Sequence, residues 1–338
     1  MTEIISREIH LRRRPVGLPT EATFELVETT VPEPADGEIL VRNIWMSVDP
    51  YMRGRMIDRK SYTPPFEVGK VLQGGCIGRV IASKHGKFAV GDCVSGMFGW
   101  REVWTSDGKG VIKIDPTAAP LQTYLGTLGM PGLTAYVGLL KIGGLKGDET
   151  VFVSAAAGAV GSVACQIARI KGCRVVGSAG SDEKVAWLRD EAGVDHAFNY
   201  KTVDDIGREL GRACPDGIDL YYDNVGGRHL EAALLRMRDF GRVVACGMID
   251  QYNATAPPPG PSTIIATVFK RLRIQGFIVT DHFDMLGEFH TAMAGWIADN
   301  KIKWRETVVE GIENAPKAFL GLFSGSNLGK MLVQVGPD

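Results

Sequence analysis

Residues 151–161, Val-Phe-Val-Ser-Ala-Ala-Ala-Gly-Ala-Val-Gly, constrain the fold more than any other segment of the chain. A short apolar run stops at small residues and continues with apolar residues at helical spacing, which is how a dinucleotide-binding βαβ unit begins. In the loop pattern G-x-G-x-x-G, the first position is Ala156 here, and the second and third are Gly158 and Gly161. We expect Gly158 to let the backbone approach a pyrophosphate and Gly161 to let the helix pack closely on the strand. Small residues also form ordinary strand–helix turns, so this segment does not decide the fold alone.

The sequence after this loop alternates between strand-like and helix-like segments. The predicted strands after the first are residues 173–177, 195–199, 218–222, 242–246 and 273–279. Helical segments separate them, and a further amphipathic helix is predicted over residues 283–300. Six strands with intervening helices predict an α/β fold with a doubly wound parallel sheet of the Rossmann type.

The first third of the chain has a different pattern. Short alternating runs broken by Pro, Gly and Asp predict a compact, mostly antiparallel, barrel-like β domain. The tail, residues 304–335, returns to short strands and one helix, and we expect it to complete this first domain. The predicted division is residues 1–125 with 303–338 for the β domain, and 126–302 for the Rossmann domain.

Composition excludes several classes of protein. The net charge of −1 gives no general attraction to nucleic acid or to anionic membranes. No apolar run reaches the roughly 18 residues of a membrane span. The six cysteines contain no C-x-x-C pair, which argues against a disulfide framework and a structural zinc site. A reducing cytoplasm is the simplest location.

The end of the second predicted strand indicates which dinucleotide binds. NAD-binding proteins usually place a carboxylate there for the ribose 2′-hydroxyl, but this strand carries no acid. Lys184 is the first basic residue after it and would hold a 2′-phosphate, with added hydroxyl contacts from Ser181 and Tyr200. We therefore favour NADPH. In the alternative, Lys184 is a solvated helix residue and Asp182 binds the ribose of NAD.

Other candidate ligand-binding residues follow the later strands, because ligands of open α/β sheets lie at the carboxyl ends of the strands. Asn224, after the fourth strand, can bond to ribose or amide, although an ordinary turn residue is the simpler interpretation. The remaining candidates after the fifth and sixth strands are Cys246, Gly247, Met248, Phe277, Ile278 and Val279.

Polarisation of a substrate carbonyl requires either a metal or a hydrogen-bond donor. The zinc-ligand candidates Cys76, His85 and Cys93 have no recognised spacing, so no metal site is predicted. A tyrosine is a neutral donor at neutral pH. Tyr252 follows the fifth strand, close to the expected nicotinamide position, and Tyr51 lies in a loop of the first domain.

Seven motifs in order resemble those of a known family. They are DPYMRGRM at 49–56, GMPGLTAY at 129–136, AAAGAVG at 155–161, GSDEK at 180–184, DNVGG at 223–227, YN at 252–253 and NLGK at 327–330. This family is the zinc-independent branch of the medium-chain dehydrogenase/reductases, which holds prostaglandin reductases, plant alkenal double-bond reductases and bacterial curcumin reductases. The resemblance covers nearly the whole chain, and the bacterial members look most similar.

The resemblance implies a GroES-like β-barrel domain, a Rossmann domain and a homodimer. It implies that Tyr252 is the catalytic acid and that Tyr51 lines the substrate cleft. It also implies that NADPH is held by Gly158, Ala159, Val160, Gly161, Ser181, Lys184, Tyr200, Asn224, Cys246, Gly247, Met248, Tyr252, Phe277, Ile278, Val279 and Asn327.

The expected reaction is reduction of a carbon–carbon double bond conjugated to an aldehyde or ketone, with hydride to the β-carbon and a proton to the α-carbon. Tyr252, the cofactor ribose or water would deliver the proton. One alternative is an NADPH quinone oxidoreductase, and another is a non-catalytic NADPH-binding protein. A zinc alcohol dehydrogenase is disfavoured, and the sequence leaves the physiological substrate open.

Overall fold

The computed structural model describes residues 4–337, which form two compact units. One unit contains the described residues up to Leu125 and those from Glu306 onward. The other is Gly126–Arg305.

The strands are numbered in chain order through both units. They are β1 (Ile4–Leu11), β2 (Phe24–Val31), β3 (Ile39–Ser47), β4 (Cys76–Ser83), β5 (Cys93–Gly96), β6 (Val103–Ser106), β7 (Ile112–Ile114), β8 (Thr150–Val153), β9 (Arg174–Ala179), β10 (His196–Asn199), β11 (Ile218–Asp223), β12 (Met237–Ala245), β13 (Arg273–Gly276), β14 (Glu306–Glu310) and β15 (Lys330–Gln334).

Most of the helices lie in the second unit. The α-helices are α1 (Met52–Arg55), α2 (Met130–Val137), α3 (Ala159–Ile170), α4 (Asp182–Asp190), α5 (Ile206–Ala213), α6 (Gly227–Arg236), α7 (Ala266–Phe269), α8 (Leu286–Ala298) and α9 (Ala315–Ser324). Short 3-10 helices are Glu21–Thr23, Leu121–Leu125, Ile249–Gln251, Ser262–Ile265, Val279–Met285 and Ile312–Asn314, and Gly138–Ile142 is a π-helix. None of the helices within residues 4–337 combines the length and the apolar character needed to cross a membrane.

The first unit is built on a mostly antiparallel sheet, as predicted. Its strands follow the order β14-β15-β3-β4-β5-β7, with β6 paired to β3, and β1 and β2 form a separate antiparallel pair. The parallel pairing of β14 with β15 is the exception. In the core, the ring of Trp100 stacks on Phe24 and meets the edge of Phe319 from α9, each at 6.1 Å between centroids. The tail of the chain therefore contributes both a strand and a packed helix to this unit.

The second unit contains the predicted doubly wound parallel sheet. Its six strands follow the order β10-β9-β8-β11-β12-β13, and the pairings between them are parallel. The central strand β8 is buried along Val151, Phe152 and Val153, as expected for a strand covered by helices on both faces. This order brings the carboxyl ends of all six strands to one edge of the sheet.

Three predicted boundaries in this unit are wrong. Strand β12 begins at Met237, before the predicted residue 242, and passes through a left-handed residue, Phe240, at φ 61°. Strand β13 ends at Gly276, so the three residues predicted to close it lie outside the sheet. Helix α8 begins at Leu286 because the preceding 3-10 segment is interrupted at His282, where φ and ψ are not helical.

Candidate functional site

The loop between β8 and α3 depends on one glycine. A Cβ added to Gly161 would lie 2.3 Å from the Ala155 carbonyl oxygen and 2.9 Å from the Ala156 Cα, so only glycine fits here. The left-handed residue of the turn is Ala155, at φ 47°, rather than Ala156, the first position of the glycine pattern. The close approach of helix to strand predicted for Gly161 is therefore present, and the sharp turn falls one residue earlier than expected.

The amino terminus of α3 is fixed at the carboxyl end of the sheet. The Ala156 N–H donates to the Ser178 carbonyl oxygen on β9 at 2.9 Å, which ties the loop to the neighbouring strand. Gly158 is the N-cap of this 12-residue helix, and it is partly exposed together with the first helical residues Ala159 and Val160. The N–H groups and dipole at such a terminus suit a diphosphate.

The end of β9 leads into a capped helix. Ser181 is the N-cap of α4 and accepts the Lys184 N–H at 3.4 Å. Asp182, in the first turn, accepts a hydrogen bond from the Asn199 side-chain amide at 2.8 Å. The one acid that could bind the ribose of NAD thus already bonds to β10, which favours its role as a structural first-turn residue.

Two lysines and a tyrosine lie near this end of the sheet. Burial lowers the pKa of Lys184, and the charge of Lys201 lowers it further. The position of a Cβ on Gly180 lies 3.1 Å from the Tyr200 Oη and 3.3 Å from the Lys201 Cε. Two ammonium groups that repel one another are both stabilised by a bound phosphate. This group of side chains, Ser181, Lys184, Tyr200 and Lys201, is called the cationic cluster below.

Sequence reasoning missed Lys201. Lys201 directly follows Tyr200, a predicted cofactor residue, just after β10. This adjacency is the feature of the sequence that could have identified it. The Tyr200 ring packs edge-on against His229 at 4.9 Å, and burial, followed by the charge of Asp250, raises the pKa of Tyr200. Its hydroxyl is therefore a neutral hydrogen-bond donor at physiological pH.

A buried carboxylate organises the turn after β11. The Asp223 Oδ1 accepts from the Tyr221 hydroxyl at 2.6 Å, from the Ser154 hydroxyl at 3.2 Å and from two backbone N–H groups of the turn. The Asn224 side-chain amide donates to the Ser154 carbonyl oxygen at 2.8 Å. Asn224 thus connects β11 to β8, as a turn residue does. Asp223 and Ser154 were not selected from the sequence.

An open cleft of about 480 Å³ lies at the carboxyl ends of β12 and β13. Its lining is Ala245, Cys246, Gly247, Met248, Gly276, Phe277, Ile278 and Asp281. Five of the predicted cofactor residues meet here, whereas Val279 is buried and does not line the cleft. Asp281 is an addition that the sequence did not suggest.

The hydroxyl of Tyr252 lies over the backbone at this cleft. Its Oη accepts the Met248 N–H at 3.3 Å and is 3.1 Å from the position of a Cβ on Gly247. Gly247 therefore leaves room for the phenol. Burial raises the pKa of the neighbouring Cys246 thiol to about 12, so this thiol is neutral.

The two remaining predicted residues belong to the first unit. Tyr51 precedes α1, and its Oη is buried without a hydrogen-bond partner among residues 4–337. Burial, followed by the charge of Asp49, raises the pKa of Tyr51 well above its ordinary value. The Asn327 side-chain amide donates to the Gly329 carbonyl oxygen at 2.8 Å, in the turn that leads into β15.

The described residues do not assemble a set of metal ligands. Within residues 4–337, no group of three or more His, Cys, Asp or Glu side chains is placed to hold a metal ion. Cys76 and Cys93 are buried on the paired strands β4 and β5, and the Cys76 thiol bonds to the Gly96 carbonyl oxygen at 3.5 Å. His85 packs against the ring of Phe88 at 5.0 Å.

Two family models match the chain. Residues 7–114 match the N-terminal domain of oxidoreductases, and residues 159–298 match a model described as zinc-binding dehydrogenase. The donor set described above does not supply the zinc site that the second description mentions.

Three similar proteins cover nearly the full length. The chain is 46% identical to prostaglandin reductase 1 of Rattus norvegicus, over 96% of this chain and 97% of that protein. It is 43% identical to the NADPH-dependent curcumin reductase of Escherichia coli, over 97% and 96% respectively. The crystal structure of CurA in complex with NADPH from Vibrio vulnificus superimposes with a TM-score of 0.94 at 43% identity, covering 98% of this chain and 100% of that one. The chain therefore belongs to the prostaglandin reductase and alkenal double-bond reductase family of the medium-chain dehydrogenase/reductases.

Proposed function

We propose that this protein is an NADPH-dependent reductase of carbon–carbon double bonds conjugated to an aldehyde or ketone. The names of the relatives support this function, because they include reductases of prostaglandins, curcumin and 2-alkenals. The observation that carries the proposal is the position of the Tyr252 hydroxyl, a neutral donor beside the cleft at the ends of β12 and β13. A donor at the carbonyl oxygen stabilises the negative charge that develops there when a conjugated alkene is reduced.

The residues around the sheet edge fit NADPH. The amino terminus of α3 would hold the diphosphate, and the cationic cluster would hold the 2′-phosphate. The absence of a Cβ on Gly180 leaves space beside the side chains of Tyr200 and Lys201. We propose that the turn at Asn224 and the cleft at residues 246–248 and 277–278 hold the nicotinamide half, and that Asn327 also contacts NADPH.

The chemistry is divided between cofactor and protein. When bound, NADPH supplies the hydride that the β-carbon receives. Tyr252 donates a hydrogen bond to the carbonyl oxygen, where negative charge develops, and stabilises this charge more than the starting carbonyl. The Met248 N–H, which donates to the Tyr252 Oη, holds the phenol in place and makes it a better donor. Tyr252 then supplies the proton for the α-carbon.

We propose distinct roles for the two units. The unit Gly126–Arg305 binds NADPH, since it contains the glycine loop and the cationic cluster. The other unit supplies the substrate-lining Tyr51, whose buried hydroxyl lacks an acceptor among the described residues.

We also propose that the protein is a homodimer that pairs through β13. This strand is the edge of the six-stranded sheet and is exposed along its length. Apolar side chains are exposed on or near it in the chain, including Ile274 at 38% and Val268 at 69%. An exposed strand edge with apolar neighbours is a template for pairing with a second copy. Ile274→Lys should convert the dimer to a monomer in analytical ultracentrifugation, and an unchanged mass would refute this interface.

A cytoplasmic location is supported by the cysteines. All six are free, and five of them are buried. Such thiols suit a reducing compartment.

A cofactor and substrate panel tests the proposed activity. Oxidation of NADPH and NADH is followed at 340 nm with 2-nonenal, 3-nonen-2-one and a quinone such as menadione. We expect NADPH to be oxidised with the enal and the enone, and NADH far more slowly. Fast turnover with the quinone alone would identify a quinone oxidoreductase, and no turnover with any acceptor would identify a non-catalytic NADPH-binding protein.

A further inference from the structure

Asp223 is a buried acid without a cationic partner. It ends β11 at the carboxyl edge of the sheet and is 0% exposed. No ion pair within residues 4–337 includes it. Burying a carboxylate costs free energy unless hydrogen bonds or an opposite charge compensate for the lost water. The surroundings of its two oxygens therefore decide which form of the carboxyl group the fold stabilises.

The two oxygens of this carboxyl group have opposite surroundings. Oδ1 accepts four hydrogen bonds, from the hydroxyls of Tyr221 and Ser154 and from the N–H groups of Val225 and Gly226. Oδ2 is buried and has no hydrogen-bond partner within residues 4–337. Burial raises the pKa of Asp223, and the four donors limit this rise. A proton on Oδ2 would have no acceptor, whereas a negative charge is stabilised by the donors and by the amino terminus of α6, so the arrangement favours the ionised form.

The charge of Asp223 acts on the cleft at the ends of β12 and β13. The Asp223 backbone carbonyl oxygen accepts the N–H groups of Cys246 at 2.9 Å and Gly247 at 3.0 Å, and both of these residues line the cleft. The negative charge also contributes to the raised pKa of the Cys246 thiol, so its field reaches the wall of the cleft. Because the carboxyl group is sealed from solvent, salt and water screen this field less than that of an exposed acid.

A ligand that becomes positive in the cleft would supply the missing opposite charge. The nicotinamide ring of NADPH is neutral, and transfer of its hydride to the β-carbon leaves the ring of NADP⁺ with one positive charge. The field of a nearby carboxylate stabilises the positive ring and has little effect on the neutral one. The buried charge of Asp223 therefore distinguishes the two forms of the cofactor.

We propose that Asp223 is the counter-ion of the oxidised nicotinamide and favours hydride release by stabilising NADP⁺ relative to NADPH. The inference rests on the proposed function for the place of the nicotinamide half in the cleft. Asp223 acts through its charge, touches neither cofactor nor substrate and exchanges no proton. A residue that only organised the turn after β11 would act equally on both forms of the cofactor.

Binding of the two cofactor forms tests this inference in the full-length protein without any substrate. Isothermal titration calorimetry at neutral pH gives the Kd of NADPH and of NADP⁺ for the wild type and for Asp223→Asn, which keeps the shape and the acceptor oxygen but removes the charge. We expect the ratio of the Kd of NADP⁺ to the Kd of NADPH to rise about 5- to 30-fold, through weaker binding of NADP⁺. An unchanged ratio, including equal weakening of both forms, would show a structural role and overturn the proposal.

Two further acid-to-amide variants are the matched controls. Asp216→Asn removes an exposed charge that precedes β11 at its other end, and it should leave the ratio within about 2-fold of the wild type. Asp281→Asn removes an exposed carboxylate from the cleft itself, where solvent screens it, so its effect on the ratio should be smaller than that of Asp223→Asn. A larger effect in Asp281→Asn than in Asp223→Asn would assign the field to Asp281 and overturn the role of Asp223.

A second substitution covers the case in which Asp223→Asn does not fold, as judged by circular dichroism and thermal melting. Asp223→Ser keeps a hydroxyl acceptor for the turn, leaves room for water and also removes the charge. The same rise in the Kd ratio is expected, and a ratio equal to that of the wild type would overturn the proposal.

Failure of the proposed function is distinguishable from failure of this inference. If the wild type binds both cofactors but reduces no enal or enone, the proposed function is wrong, and the Kd ratio still decides the role of Asp223. If the wild type reduces enones and the ratio does not depend on Asp223, only the inference is wrong. A protein that binds neither NADPH nor NADP⁺ would contradict both.

Discussion

Along the carboxyl edge of the six-stranded sheet, the residues that follow β9 and β10 at one end of the strand order differ in chemistry from those that follow β12 and β13 at the other end. At β9 and β10 the side chains are charged and polar, and two ammonium groups lie close enough to perturb one another. At β12 and β13 the chain leaves an open cleft lined largely by backbone and apolar residues, with the phenol of Tyr252 beside it. The glycine loop after β8 lies between these ends in the strand order. One end is suited to recognising a charge and the other to holding a flat ring and a reacting carbonyl.

This difference implies that the two ends can be altered separately. Changes in the cationic cluster should alter cofactor affinity and the choice between NADPH and NADH. Changes beside the cleft should alter turnover.

Tyr252→Phe should have the largest effect. Removing the hydroxyl leaves the ring in place but removes the donor at the carbonyl oxygen, so kcat should fall roughly 10²- to 10⁴-fold while the Kd for NADPH stays unchanged. Stopped-flow turnover and fluorescence titration measure the two quantities. Turnover near that of the wild type would show that the cofactor ribose or water delivers the proton.

Lys184→Met should weaken NADPH binding and leave NADH binding unchanged. The lost hydrogen bond to a charged phosphate is worth about 1.5–3 kcal/mol, which corresponds to roughly 10- to 150-fold in Kd. Isothermal titration with both cofactors measures the effect. Lys171→Met, at an exposed position after α3, is the control and should bind both cofactors normally. An equal loss for NADH would place Lys184 away from the 2′-phosphate.

Lys201→Met should have a smaller effect in the same direction. Lys201 supplies a second positive charge but also lowers the pKa of Lys184, so its removal loses one attraction and relieves one repulsion. We expect NADPH binding to weaken roughly 3- to 10-fold, within the range for partly exposed charge pairs. Tighter NADPH binding in this variant would show that repulsion outweighs the contact.

The pH dependence of NADPH affinity should be the most gradual of these effects. Because the pKa of Lys184 lies below its ordinary value, the free protein loses this charge at a lower pH than an exposed lysine does. Bound phosphate, which is a dianion above pH 7, favours the charged form. NADPH affinity should therefore decline as the pH rises through the alkaline range towards the lowered pKa, with NADH affinity flat. In Lys184→Met this difference in slope should disappear.

Local signals in the sequence predicted the parts of the site that lie within one strand–loop–helix segment. The Ser181 cap, the close packing at Gly161 and the parallel sheet all follow from residue types and spacing over a few positions. The order of the strands and their shared edge then follow from the βαβ pattern. For the same reason, the residues predicted at the ends of β12 converge on one cleft.

The features that the sequence did not predict depend on contacts between distant segments. Lys201 belongs with Lys184 because β10 lies beside β9, and a single strand pattern does not show this neighbour. The Asp223 carboxylate is buried under a turn and accepts a hydrogen bond from the hydroxyl of Ser154, which follows a different strand, β8. Likewise, the end of β13 at Gly276 depends on where its partner β12 stops, at Ala245. The apolar residues that continue beyond it favour a longer strand than the pairing allows.

Transfer of a labelled hydride shows which carbon of the substrate is reduced. The protein is mixed with 3-nonen-2-one and NADPH that carries deuterium on both C4 positions of the nicotinamide, and the product is analysed by NMR. We predict 2-nonanone with one deuterium at C4, the former β-carbon, and none at C3, the former α-carbon. Deuterium at C2 in an unsaturated alcohol, or no deuterium transfer at all, would contradict a double-bond reductase.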